Sequence, residues 1–251
     1  MFLFKRKKVE LITYTDNQDL MEMFPLTPAK LMLPEYYKTL EPRISNGPNS
    51  IQSLMQPTLR SCYGANTFNR LGFILPLWCD YVFTIKNGNL GLASAAYGND
   101  ALNHEHSQYA GAINDHAILK LISPWQFYCK KDIKWLQMQN YYGINGSSWH
   151  TPPGIVDFKN QSATHVFLAL NNHQASETGE VHLKAGTPIV KYIPLTDDEI
   201  VIRREVVDNM EKVTKKSFNY FFYSGMLKMT KAKQETSERF GGKCPFHFNK
   251  N

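Results

Sequence analysis

This 251-residue sequence predicts a mainly-β fold: an antiparallel β-sandwich or jelly roll, with short N-terminal helices and a long C-terminal helix. Three observations carry that prediction. From Leu71 onward the chain is a series of short apolar runs with turn signals at regular spacing, the mark of a sandwich or barrel. No helical crossover separates those runs, so a parallel α/β sheet is not expected. Aromatic residues make up 13% of the chain, a level suited to pleated sheets and large packed surfaces.

Taken in order, residues 8–14, KVELITY, read as a first strand. Asp16 is placed to cap a short helix, DNQDLMEMF, which Pro25 stops. A second helical piece is expected from Pro28 to Leu40, and residues 41–57, rich in turn formers, read as a surface loop. LGFILPLW and DYVFTIK follow as strands, and Asn87-Gly88 between alternating residues is a strong hairpin signal. Further runs are GLASAAYG, AILKLI, WQFYCK, IKWLQMQ, GIVDF, THVFLAL and IVIRREV. The stretch VHLKAGTPIVKYIPL, 181–195, carries a Gly-Thr-Pro turn between alternating segments and reads as a hairpin or strand-to-strand corner. After it, Val207, Met210, Val213, Phe218, Phe221 and Phe222 recur at helical spacing. The expected organisation is a β domain over 1–206 with its N-terminal helical segment, a basic and aromatic helix over 207–236, and a polar tail over 237–251.

The net charge of +6 is unevenly placed, with one cluster at Lys5-Arg6-Lys7-Lys8 and another from Arg203 to Lys233. A basic surface attracts nucleic acid, acidic headgroups or an acidic protein face without choosing among them. The lysines Lys212, Lys215, Lys216, Lys228, Lys231 and Lys233 match no RNA- or DNA-reading motif, so nucleic-acid binding is disfavoured, and a solvated lysine face is the plainer expectation. Cys62, Cys79, Cys129 and Cys244 show no Cys-x-x-Cys spacing, which argues against a zinc knuckle and a disulfide scaffold and for reduced thiols. No apolar run is long enough for a membrane helix, and the N-terminus lacks the order of a signal peptide, so no membrane role is expected. Nucleophile elbows, Walker loops and Gly-x-Gly-x-x-Gly turns are missing.

His104-Glu105-His106 places two imidazoles on one face of a strand, able to chelate a divalent ion if a third ligand arrives. His116, His150, Asp157 and His182 are candidates for the third. With His182 the layout approaches a cupin-like site for Fe, Zn or Mn, yet the Glu expected after the pair is replaced by Ser107-Gln108-Tyr109-Ala110-Gly111. Gly186-Thr187-Pro188 also follows His182 where the cupin pattern has its turn first. Ser148-Trp149-His150-Thr151-Pro152-Pro153-Gly154 is a stiff turn, suited either to a pocket lip or to a plain strand connection.

Several segments together are similar to a tailed-bacteriophage protein family of marine-myophage type with no assigned activity. They are Pro28-Ala29-Lys30 with Leu33-Pro34-Glu35-Tyr36-Tyr37-Lys38, Cys62, and Gly72-Phe73-Ile74-Leu75-Pro76-Leu77-Trp78-Cys79-Asp80. His106 and Gln108, Lys120 with Ser123-Pro124-Trp125, Pro153-Gly154-Ile155-Val156-Asp157, and Gly186-Thr187-Pro188-Ile189 with Ile193-Pro194 complete the likeness. It covers about residues 8–200; the segment MQNYYGINGSSWH departs from it. The resemblance implies a phage origin, with the host cytoplasm or the virion as location, and transfers no catalytic residue. Its polar positions suggest a pocket of His106, Gln108 and Asp157, joined by Trp125 and His150.

Two functions are therefore expected in competition. One is a non-catalytic phage β-sandwich protein, a virion or assembly component or a host-interaction protein, with no cofactor. It would contact a phage protein or a second copy through Lys212, Lys215, Lys216, Phe221 and Phe222 of the C-terminal helix. The other is a cupin-like oxygenase or isomerase acting on a small polar substrate, with His104, His106 and His182 on the metal.

Overall fold

The computed structural model describes residues 7–45, 55–86, 89–95, 101–103, 116–140, 149–171 and 179–210, together with residue 213. Strand β1 (Lys8–Thr15) opens the chain as expected and is followed by helix α1 (Gln18–Met23). The cap of α1 is Asn17, whose Oδ1 accepts from Leu20 N–H at 3.1 Å, and not Asp16. Asn17 has the extended backbone of a capping position, so its short amide reaches the third N–H of the helix. The predicted second helix is divided. After β2 (Thr27–Pro28) there is one 3-10 turn (Ala29–Leu31), and α2 (Glu35–Thr39) starts only after Pro34, which cannot sit inside a helix.

Residues 41–57 are not a plain loop. β3 (Arg43–Ser45) and β4 (Met55–Pro57) pair antiparallel, Ile44 facing Gln56. A 3-10 turn (Leu59–Ser61) and helix α3 (Tyr63–Arg70) come next, an element sequence reading missed because its apolar positions are sparse. Next come β5 (Phe73–Pro76), β6 (Tyr81–Lys86), β7 (Asn89–Ala95), β8 (Ala101–Asn103), β9 (His116–Leu121), β10 (Gln126–Cys129) and β11 (Trp135–Met138). The chain continues through β12 (Trp149–His150), β13 (Gly154–Val156), β14 (Val166–Asn171), β15 (Glu180–Leu183), β16 (Pro188–Pro194) and β17 (Glu199–Val206). β6 and β7 pair with Lys86 opposite Asn89, as the hairpin signal requires; Asn87 and Gly88 themselves lie outside the described residues, and so does most of the predicted C-terminal helix.

The strands form sheets of order β13-β11-β16-β5-β2, β12-β14-β9-β8, β10-β1-β17 and β15-β6-β7, besides the β3-β4 pair. Pairings are antiparallel except that β1 and β17 run parallel over their whole length. Among the described residues no sheet closes into a barrel. One apolar core receives side chains from all four larger sheets: Leu11, Leu75, Phe83, Leu121, Phe127, Trp135, Leu168, Leu183 and Tyr192 are all buried in it. Its centre is aromatic, with Phe158 lying 5.2 to 5.4 Å, centroid to centroid, from Phe127, Tyr192 and Trp135.

The 181–195 stretch is a corner and not a hairpin, because β15 pairs with β6 while β16 pairs with β5 and β11. Gly186 takes a left-handed backbone (φ 81°) at the bend, a conformation glycine adopts without strain. The corner is clamped by the facing bend: Gly186 N–H donates to Leu77 O (2.7 Å), Leu77 N–H to Thr187 O (2.8 Å), and Ala185 N–H to the Asp80 carboxylate (2.7 Å).

Candidate functional site

Of the predicted pocket, His106 and Gln108 lie outside the described residues, as does His104 of the predicted metal pair. Trp125 is wholly buried in the core. The backbone around it is held by polar neighbours: Trp125 N–H donates to Ser123 Oγ (3.1 Å), and Thr164 Oγ1 donates to Trp125 O (2.7 Å). His150 is exposed on β12, opposite Ala169 of β14. Asp157 follows β13 in a different sheet.

His182 stands on β15 with Val181 and Leu183 turned to the core, so the alternation of the strand directs its ring to solvent. There it meets Glu180 at 2.9 Å, both side chains being more than half exposed. His150 and His182 stand on strands of two different sheets and Asp157 just after a strand of a third. Among the described residues no group of three or more His, Cys, Asp or Glu side chains is placed to hold a metal ion. The interaction-helix residues Lys212, Lys215, Lys216, Phe221 and Phe222 lie outside the described residues.

Asp157 anchors a polar turn. Burial of its carboxyl works to raise its pKa, but together the Lys134 ammonium (2.6 Å), the Asn160 amide (2.7 Å) and Lys159 N–H (3.0 Å) hold it below the usual carboxylate range. Its carbonyl accepts from Asn160 and Gln161 N–H, which folds the chain back and sends Phe158 into the aromatic centre. Asp80 likewise fixes the Gly186 corner, and Trp78 Nε1 donates to the Tyr81 hydroxyl at 3.0 Å inside the core. The Leu77–Asp80, Gly154–Asp157 and Gly186–Pro188 segments, read as motifs in the sequence, therefore do architectural work at bends.

Two titratable groups that sequence reading passed over are strongly perturbed. Lys191 is fully buried on β16, its Nζ donating to Phe68 O near the C-terminus of α3 and lying 4.2 Å from the Phe68 ring centroid. A cation is suited to a helix C-terminus, but burial lowers its pKa to about 8. His165, ahead of β14, is pushed down to about 4, first by burial and then by the Lys120 charge. Both are hidden from pattern reading, since a lysine or histidine inside or beside a strand looks like any solvent-facing residue. Cys129 is a buried thiol whose pKa burial raises, which keeps it protonated and unreactive.

The Lys191 sign is fixed by linkage. The unfolded chain, with a lysine pKa of 10.5, binds more protons than the folded one between about pH 8 and 10.5, so folding stability rises with pH in that window. Relative to Lys191→Met, the wild-type protein is expected to gain about 2 kcal/mol from pH 7.5 to 10.5, a value reduced for solvent screening. Parallel urea titrations of the two proteins at both pH values check it; a pH-independent difference would contradict the assignment.

The helical segment carries several exposed apolar residues. Leu31, Tyr36, Ile44, Leu59, Tyr63 and Leu71 are exposed apolar side chains of the helical segment, Tyr63 by 84% and Leu31 by 67%. In this segment α3 packs on both 3-10 turns. No helix among the described residues is long and apolar enough to cross a membrane. No protein-family model matches the chain, and no curated protein sequence matches it.

Proposed function

We propose that this chain is a non-catalytic phage protein, built as a jelly-roll-like sandwich, that works by contacting other proteins as a virion or assembly component or as a host-interaction protein. The observation that carries the reading is the set of exposed apolar side chains on the helical segment, headed by Tyr63 and Leu31. A soluble domain that offers several large apolar groups on packed, ordered segments offers a contact surface. The roles of Asp80, Asp157 and Trp78 in bends and core support it, because these three residues of the sequence motifs are already engaged in holding the fold. Phage encoding rests on the sequence resemblance, and the sandwich on four open sheets sharing one core.

Peptide mass spectrometry of purified particles of the encoding phage, with cross-linking during infection, tests this. The chain is expected at a fixed copy number in particles or cross-linked to one defined protein. Recovery only as an uncomplexed chain, or with a transition metal bound one to one, would overturn the proposal.

A further inference from the structure

β17 ends its sheet: β1 pairs with it on one side, and among the described residues no strand pairs with the other. Glu199 N–H donates to Lys7 O and Val207 N–H to Thr15 O, so the odd-numbered residues direct their backbone groups toward β1. Alternation then points the N–H and C=O groups of Ile200, Ile202, Arg204 and Val206 at the open edge. The same alternation sorts the side chains. Ile200 and Ile202 pack on the core, while Glu199, Val201 and Arg203 are exposed on the outer face. An open edge eight residues long is a template for another strand.

We infer that the strand which adds to this edge is β17 of a second copy, running antiparallel across a twofold axis at Val201. This rests on the reading of the chain as a protein that works by protein contact, and names the partner. The charges select the register. A twofold pair must place one residue opposite itself, and each face must stay on its own side. Centring on Ile202 sets Glu199 against Glu205 of the copy, twice; centring on Arg203 or Arg204 sets arginine against arginine. Centring on Val201 sets Val201 against Val201 and gives two Glu199–Arg203 pairs flanking it. On the inner face Ile200 lies opposite Ile202, and these are the residues whose backbone groups face the edge, so they form the hydrogen-bonded pairs. Arg203 already leans on Glu10 (3.4 Å) and Glu205 (2.8 Å), which holds its guanidinium on the outer face where Glu199 of the copy arrives. Of the registers centred on residues 201 to 204, only the one on Val201 sets no like charges opposite each other within β17 and joins the two copies by opposite charges.

Sedimentation equilibrium of the full chain is expected to show a reversible dimer. Glu199→Arg and Arg203→Glu should each weaken it about tenfold or more, and the double exchange E199R/R203E should restore it to within about threefold. Because Arg203 also pairs within its own chain, Glu199→Arg, an exposed position, is the decisive single variant. Hydrogen exchange gives a second reading: the Ile200 and Ile202 amides should gain protection as concentration rises, whereas Val201 and Arg203 amides should not change. A monomer at every concentration, or a dimer indifferent to both charge reversals, would overturn the inference. A monomer that is nonetheless found in particles would overturn this contact alone; a charge-dependent dimer recovered from infection only as free chain would overturn the wider reading and keep the contact.

Discussion

Gly72→Ala is expected to lower the unfolding free energy by about 3–5 kcal/mol, which is a large share of what a domain of this kind has. Gly72 has φ 79°, and a Cβ built there would sit 2.3 Å from Tyr192 O and within 3.2 Å of Tyr192 C and Ile193 Cα. Those atoms are backbone of β16, the strand between β11 and β5, so no flexible side chain can move aside. The residue directly precedes β5, where Phe73 faces Tyr192, and its carbonyl accepts from Ala29 N–H at 2.9 Å. Relief of the clash therefore means pushing β5 off β16. Gly154→Ala is the control: nothing lies within 4 Å of its built Cβ and its φ is not positive, so stability should change by no more than about 1 kcal/mol. Guanidinium titration of both variants checks the contrast; equal effects would show that the β5–β16 approach is not what makes Gly72 costly to replace.

The second large effect is expected in the aromatic centre. Trp135 is fully buried on β11, its ring 5.4 Å from Phe158 and 6.2 Å from Phe73 between centroids. Trp135→Ala should cost about 3–5 kcal/mol, because strands on both sides hold the cavity open. Trp135→Phe should cost about 1–2 kcal/mol, since most of the ring stays and the lost Nε1–H finds no protein partner among the described residues. A shift of denaturation midpoint with an unchanged slope is the signature of a purely energetic loss. An alanine variant as stable as the wild type would mean the centre can collapse around the gap.

Much of the strand pattern was legible because it is local. Val181 and Leu183 turn inward while Glu180 and His182 turn out, and the same alternation that marks β15 as a strand places His182 in solvent. The Asn-Gly signal and the Gly-Thr-Pro bend are equally local, being demands of two or three residues on their own φ and ψ. Helix α3 was not legible, since it is only eight residues long and carries few apolar side chains. Lys191 and His165 were not legible either: burial of a charged or titratable side chain depends on what other strands and α3 lay over it.

The sequence by itself determined that this protein is mainly β, where most of its strands run, and which residues bend the chain, because side-chain alternation and turn geometry are properties of neighbouring residues. Tertiary structure alone decided that β15 and β16 part at the Gly186 corner to pair with β6, β5 and β11. It also decided that β17 lies parallel to β1 at a sheet edge unpaired among the described residues, and that His150 and His182 stand in different sheets. Those outcomes depend on which distant strands meet, and hydrogen bonds between strands carry no trace of their partner in the local sequence.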